Sequence, residues 1–280
     1  MGLYEAVIVF AFCVGLAGAG LWFFYHRYVL TPQRDERLAR TAALHPNEPW
    51  MLNDAWAQRR VVDRSGFGAS IFLWIWSIGW WAGLALIGGV NGENILATVR
   101  ASWGSALLAA FLVFCGVLGI IGAVGMTRKW RRYGASTLRI DTLPGYLGNR
   151  FRGTVTARLP AETPIEAEIA CERVTVRWTR TPKGGWRKEL SYDTRWSNRW
   201  PLERGRMTRT NDGSAVIPID AALPADQPPF ATDAEGAGIR WMLYVRSDNG
   251  KPGEPDPKRT NTIDLSRFAA EFPIPVYARD

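Results

Sequence analysis

Three stretches of this 280-residue chain carry no charged side chain: Ala6–Tyr25, Phe67–Val90 and Trp103–Met126. Each is long enough to cross a bilayer, which takes about 20 apolar residues. None shows the polar residues recurring at a period near 3.6 that mark a soluble amphipathic helix. Trp22, Tyr25, Trp80, Trp81 and Trp103 place rings where an amphipathic side chain sits against lipid headgroups. The residues before the first stretch lack positive charge, and Arg27, Arg34, Arg37 and Arg40 follow it. It therefore reads as an uncleaved anchor rather than a cleaved signal. The expectation is three membrane spans.

Cationic loops stay on the cytoplasmic side, so counting them orients the chain. Loop 26–66 holds seven Lys/Arg and the flank 127–142 holds five, against one in loop 91–102. The N-terminus is therefore expected outside, with the 26–66 loop and everything after the third span in the cytoplasm. This is a multi-pass inner-membrane placement. Small residues let helices approach closely in lipid. Gly79 and Gly83 form a G-x-x-x-G in the second span, and Gly116, Gly119, Gly122 and Gly125 recur along the third. They suit packing inside the bundle, and Gly79, Gly83, Gly116 and Gly119 could also join copies of the chain. No span contains an ionisable residue, which argues against a transporter or pump.

From residue 133 the pattern changes. Residues 133–280 hold 14 of the 17 Pro, and short alternating runs stand between turns. Ser136–Asp141, Gly153–Leu159, Arg187–Trp196 and Ser214–Asp220 read as strands, and Phe272–Tyr277, with Pro273 and Pro275, as an edge strand. Ile239, Trp241, Leu243 and Val245 alternate with Arg240, Met242, Tyr244 and Arg246, the pattern of a half-buried strand. In Ile165–Cys171 the apolar residues are odd-numbered, whereas Val174, Val176 and Trp178 are even. That phase change predicts a bulge or break near Glu172–Arg173. The fold class is thus membrane α plus all-β. A three-helix transmembrane bundle (residues 1–132) is expected to precede a cytoplasmic antiparallel β-sandwich (residues 133–280).

Four segments in order carry a resemblance: Val216–Asp220, Leu223–Pro229, Ile239–Val245 and Phe272–Tyr277. A strand ending in a Pro-bearing loop, then apolar-x-Trp-x-Leu-x-Val, then a Pro-Val closing strand, resembles an arrestin-type β-sandwich. The membrane half is similar only in outline to bacterial multi-pass membrane proteins. The resemblance implies an adaptor or scaffold without catalytic residues.

The motif search is empty. There is no C-x-x-C, no phosphate-binding glycine loop, no H-E-x-x-H and no nucleophile elbow. No catalytic, metal or cofactor residue is assigned. Two surfaces remain. Residues 178–209 hold nine Lys/Arg against three Asp/Glu, interleaved with four Trp. With the cluster behind the third span, the candidate partner or anionic-lipid residues are Arg128, Lys129, Trp130, Arg131, Arg132, Arg180, Trp186, Arg187, Lys188, Arg195, Trp196 and Arg199. Lipid headgroups or an acidic protein suit them, as do plain solvated strand faces; nucleic acid is not expected. The second surface is the loop of His45, Glu48, Trp50 and Trp56, whose prolines and indoles suit an ordered plug. The functional expectation is a non-enzymatic membrane scaffold presenting the sandwich to a protein partner. The alternative is an accessory subunit of a membrane enzyme or transporter, with a site where loop 45–56 meets the domain.

Overall fold

Pro49 and the Glu48 that precedes it turn the chain out of a first helix, α1 (Thr31–Leu44), into a 3-10 turn, Pro49–Leu52. The computed structural model describes residues 31–64, 67–68, 70–85, 103–159, 164–180, 184–203, 205, 207–233, 236–247 and 268–279. Among the described residues, further helices are α2 (Asp54–Ala57), α3 (described over Ser70–Ala85) and α4 (Trp103–Tyr133). Contacts divide the chain into two units, Met1–Asn53 with Trp74–Ile120, and Asp54–Leu73 with Ile121–Asp280.

The three-helix transmembrane bundle is not supported. Among the described residues one helix, over Ala109–Tyr133, is long and apolar enough to cross a membrane. α3 is apolar over its described residues, Ser70–Ala85. The expected first span, 6–25, lies outside the described residues, as do 86–90 of the second.

Within the first unit, glycine governs how α3 and α4 approach. A Cβ on Gly116 would stand 2.9 Å from the rings of Trp80 and Trp81, and one on Gly119 would stand 3.0 Å from Ser77 Oγ. The Trp80 indole donates to Leu112 O across the same contact at 3.0 Å. Gly79 and Gly83 have open space where a Cβ would be. The close helix contact therefore uses the glycines of α4 and leaves those of α3 outside it.

The second unit is a β-sandwich. α4 ends where Gly134, at φ 64°, takes the left-handed conformation that a side chain resists, and its N–H bonds back to Trp130 O. Two residues later the first sheet begins. Its strands, in spatial order, are β1 (Arg60–Asp63), β2 (Ser136–Ile140), β4 (Arg150–Arg158), β8 (Ser214–Ala222) and β7 (Thr208–Arg209). The second sheet runs β11 (Ala269–Pro273), β10 (Gly238–Ser247), β5 (Ile165–Arg180) and β6 (Trp186–Pro201), with β9 (Ala231–Thr232) also on β10. A short parallel pair, β3 (Gly145–Tyr146) with β12 (Val276–Tyr277), closes one end. The core gathers alternate residues of both sheets: Leu138, Phe151, Val155, Ile217 and Ile219 from one, Ile169, Cys171, Trp241, Leu243 and Phe272 from the other.

Two expectations change here. Strand β10 is buried on both sides rather than half-buried, since Met242 and Tyr244 are covered as fully as their alternating neighbours. And residues 54–63, read as loop, belong to the sandwich. β1 pairs antiparallel with β2, and the Trp56 indole donates to Pro273 O at 3.0 Å while packing edge-on against Phe230.

Candidate partner-binding surface

β5 and β6 are unusually long, and only half of their hairpin belongs to the sandwich. β10 accompanies β5 from Ile165 to Val174, where Gly238 makes the last pair. Beyond that point β5 and β6 pair with each other through Arg180–Trp186. The result is a two-stranded arm projecting past the body of the fold.

Register fixes which side chains share a face of this arm, because directly opposed residues point the same way. One face carries the pairs Val174–Tyr192, Val176–Leu190, Trp178–Lys188 and Arg180–Trp186. The other carries Arg173–Asp193, Thr175–Ser191, Arg177–Glu189 and Thr179–Arg187. The second face is polar, with opposite charges set across from one another. The first is apolar with two cations. Among the described strand residues, the large apolar side chains that stand exposed are Trp178 (52%), Trp186 (68%), Leu190 (46%) and Tyr192 (46%). All four lie on that one face. An open groove of about 600 Å³ at the root of the arm is lined by Val174, Val176, Arg195, Pro228 and Ile239.

The arm face continues the outer face of the second sheet, where a buried polar cluster sits. Glu172, with no exposed surface, accepts a hydrogen bond from Tyr244 Oη at 2.8 Å and pairs with Arg240 at 2.6 Å. The Arg240 guanidinium lies over the Tyr192 ring, 4.1 Å from its centre. Arg199 reaches Glu168 at 3.4 Å and Glu166 at 3.9 Å. Burial raises the Tyr244 hydroxyl above the usual phenol range, so it stays a donor to the carboxylate. Burial likewise pushes the Cys171 thiol up to about 11, partly opposed by Arg195, leaving it an unreactive core residue.

The basic–aromatic residues singled out from the sequence thus separate into distinct places. Arg180, Trp186, Arg187 and Lys188 lie at the arm tip. Arg195 is the extra residue where the β5–β6 register shifts, between Cys171 and Glu172. Trp196 faces inward, its ring 5.7 Å from Trp241, and Arg199 is engaged by carboxylates. Arg128, Lys129, Trp130, Arg131 and Arg132 form the last turns of α4, with the Trp130 ring 5.1 Å from Phe67. Tyr133 packs 5.6 Å from Phe268, and the Ser247 N–H donates to Phe268 O. Since Ser247 pairs with Ile165, the helix enters at the end of the sheet where β5 begins. At ~3.3 Å per residue, Arg180 is roughly 50 Å of strand away. The two basic clusters are therefore separate surfaces at opposite ends of β5.

His45 and Glu48 form an exposed pair, Nδ1 to Oε2 at 2.8 Å, in the first unit with Trp50, whereas Trp56 belongs to the second unit as a plug of the sandwich. Sequence reasoning missed Leu190 and Tyr192. Counting outward from the turn at 182–185 pairs 178 with 188, 176 with 190 and 174 with 192, and that count would have found them.

No family model and no curated protein matches the chain. Among solved structures it is similar to the sporulation control protein Spo0M of Bacillus subtilis, at 14% identity and a TM-score of 0.28, covering 51% of this chain and 49% of that one. It is also similar to a DUF4466 family protein of Parabacteroides merdae, at 9% identity and a TM-score of 0.22, covering 50% and 44%. The chain spans about half the length of the structures it matches. The strand order and burial, rather than these distant likenesses, define the sandwich.

Proposed function

We propose that this chain is a membrane-anchored docking module that presents its β-sandwich to a protein partner on the cytoplasmic side of the inner membrane. α4 serves as the anchor. The cations Arg128, Lys129, Arg131 and Arg132 favour the cytoplasmic side and the anionic headgroups there. The single observation that carries the docking role is the arm face of Trp178, Trp186, Leu190 and Tyr192, exposed together on strands with no third neighbour among the described residues. Contiguous exposed apolar faces mark interaction sites. An adaptor role also agrees with the arrestin-type resemblance, and the motif search offers no competing chemistry. The arm lies at the end of β5 away from the foot of α4, which favours a protein surface over the headgroups beside the anchor as its partner.

The test is site-specific photocrosslinking in living cells. A benzophenone side chain at position 178 is expected to give a protein adduct, and the same group at position 179, on the polar face, much less. Equal yields at both positions, or none at either, would overturn the docking role.

A further inference from the structure

We infer that the occupant of the arm's apolar face is the same face of a second copy of this chain, packed about a two-fold axis running along the arm. The inference rests on the reading of the arm as a docking surface. A two-fold along the ribbon sets β5 of one copy over β6 of the other. Each residue then faces, in the second copy, the counterpart of its own cross-strand neighbour. The observed pairs are Trp178–Lys188, Arg180–Trp186, Val176–Leu190 and Val174–Tyr192. Across the interface, Trp178 would thus meet Lys188, Arg180 would meet Trp186, and Val176 would meet Leu190. Every cation falls on an indole and every aliphatic on an aliphatic or aromatic ring. No cation falls on a cation.

That complementarity is a property of the pairing pattern. Had Trp178 stood opposite Trp186, with Arg180 opposite Lys188, the same operation would set cations against cations. A cation over an indole face is attractive, more so once water is excluded. The geometry also suits an anchored chain. An axis along the arm keeps both helix-entry ends at the same end of the dimer, so both copies of α4 can enter one membrane. Edge-to-edge antiparallel pairing of two β6 strands would place those ends at opposite extremes. A lone two-stranded ribbon is marginal in water, and a facing ribbon supplies the missing layer.

The test uses the full chain in detergent micelles, with Cys13, Cys115 and Cys171 replaced by alanine for the cross-linking arm. Sedimentation is expected to show a dimer. Trp178→Lys, which sets a lysine against Lys188 of the second copy, is expected to weaken it at least about tenfold. Exchanging the two residues (Trp178→Lys with Lys188→Trp) is expected to restore it. Packed sheet faces stand about 10 Å apart, so a short bismaleimide should join Leu190→Cys chains but not Ser191→Cys chains. A monomeric wild type, no rescue by the exchange, or equal joining at 190 and 191 would overturn the inference. The cross-linking arm does not depend on a variant losing contact, so a misfolded Trp178→Lys leaves it decisive. In the photocrosslinking at position 178, an adduct of two copies supports the dimer. An adduct with a different protein overturns the dimer and leaves the docking role standing. No adduct overturns both.

Discussion

The hairpin of β5 and β6 is one continuous ladder with two halves under opposite rules. From Ile165 to Glu172, β5 is covered almost throughout, with β10 on one edge and the first sheet over its inner face. From Arg173 to Arg180 the same strand, with the same partner, is mostly exposed. The β5–β6 ladder runs through both halves, so that pairing does not distinguish them. The difference is the presence of a third strand and a second layer. It teaches that apolar residues on a regular sheet can report either a core or a surface held ready for a partner.

Substitutions in the two halves should therefore behave differently. The largest effect is expected for Trp241→Ala, which empties a fully buried site and removes the indole donor to Pro228 O. A loss of about 4 kcal/mol in unfolding free energy is expected, read by denaturant titration. Next, Glu172→Ala would leave the Tyr244 hydroxyl without its carboxylate acceptor and Arg240 without its counter-charge. Because Arg240 is partly exposed, the expected cost is about 2 kcal/mol. A third effect is pH-dependent. The Cys171 thiol titrates at about 11 in the fold against an ordinary 9.0. The fold therefore favours the protonated thiol, and its contribution is fully present below pH 9. Stability should decline as pH rises from 9 towards 11, and Cys171→Ala should flatten that slope in pH-dependent melts. The smallest effect is expected in the arm: Trp178→Ser should change stability by less than about 0.5 kcal/mol while abolishing the bismaleimide cross-link between Leu190→Cys chains. A large destabilisation by Trp178→Ser would erase the distinction between the halves.

Much of the sandwich was legible because its signal is local. Ser136–Ile140, Ser214–Ala222 and Gly238–Ser247 alternate cleanly, and each is a strand. The phase change after Cys171 was legible too, but its cause differs from a broken strand. β5 keeps unbroken register with β10 through Val174, and the extra residue, Arg195, lies in β6. The apolar pattern moves from odd to even because the apolar face itself changes sides, from the core to the open face of the arm. Burial of Tyr244 was hidden because it depends on how neighbouring long side chains lie, such as Arg246 of the same strand over its ring and Glu172 of β5 at its hydroxyl. β1 was hidden for a different reason: Val61 pairs with Leu138, far along the chain, and nothing within residues 54–63 announces it. Of the three expected spans, the described residues contain one helix long and apolar enough to cross a membrane, Ala109–Tyr133.

The pairing of β1 with β2 reaches beyond the sheet. Asp63 lies opposite Ser136, Phe67 packs on Trp130 and Ser70 hydrogen-bonds Thr127, so each step into α3 is matched by a step back along α4. The strands act as a clasp at the foot of the two helices, closing a long excursion of the chain between residues 63 and 136. A fragment that starts at residue 133 would carry β2 with an unmated edge and lose Trp56 from the far end. During synthesis the clasp cannot shut until the whole excursion has been made, so the edge of the first sheet is completed by a piece of chain translated before the helices it secures.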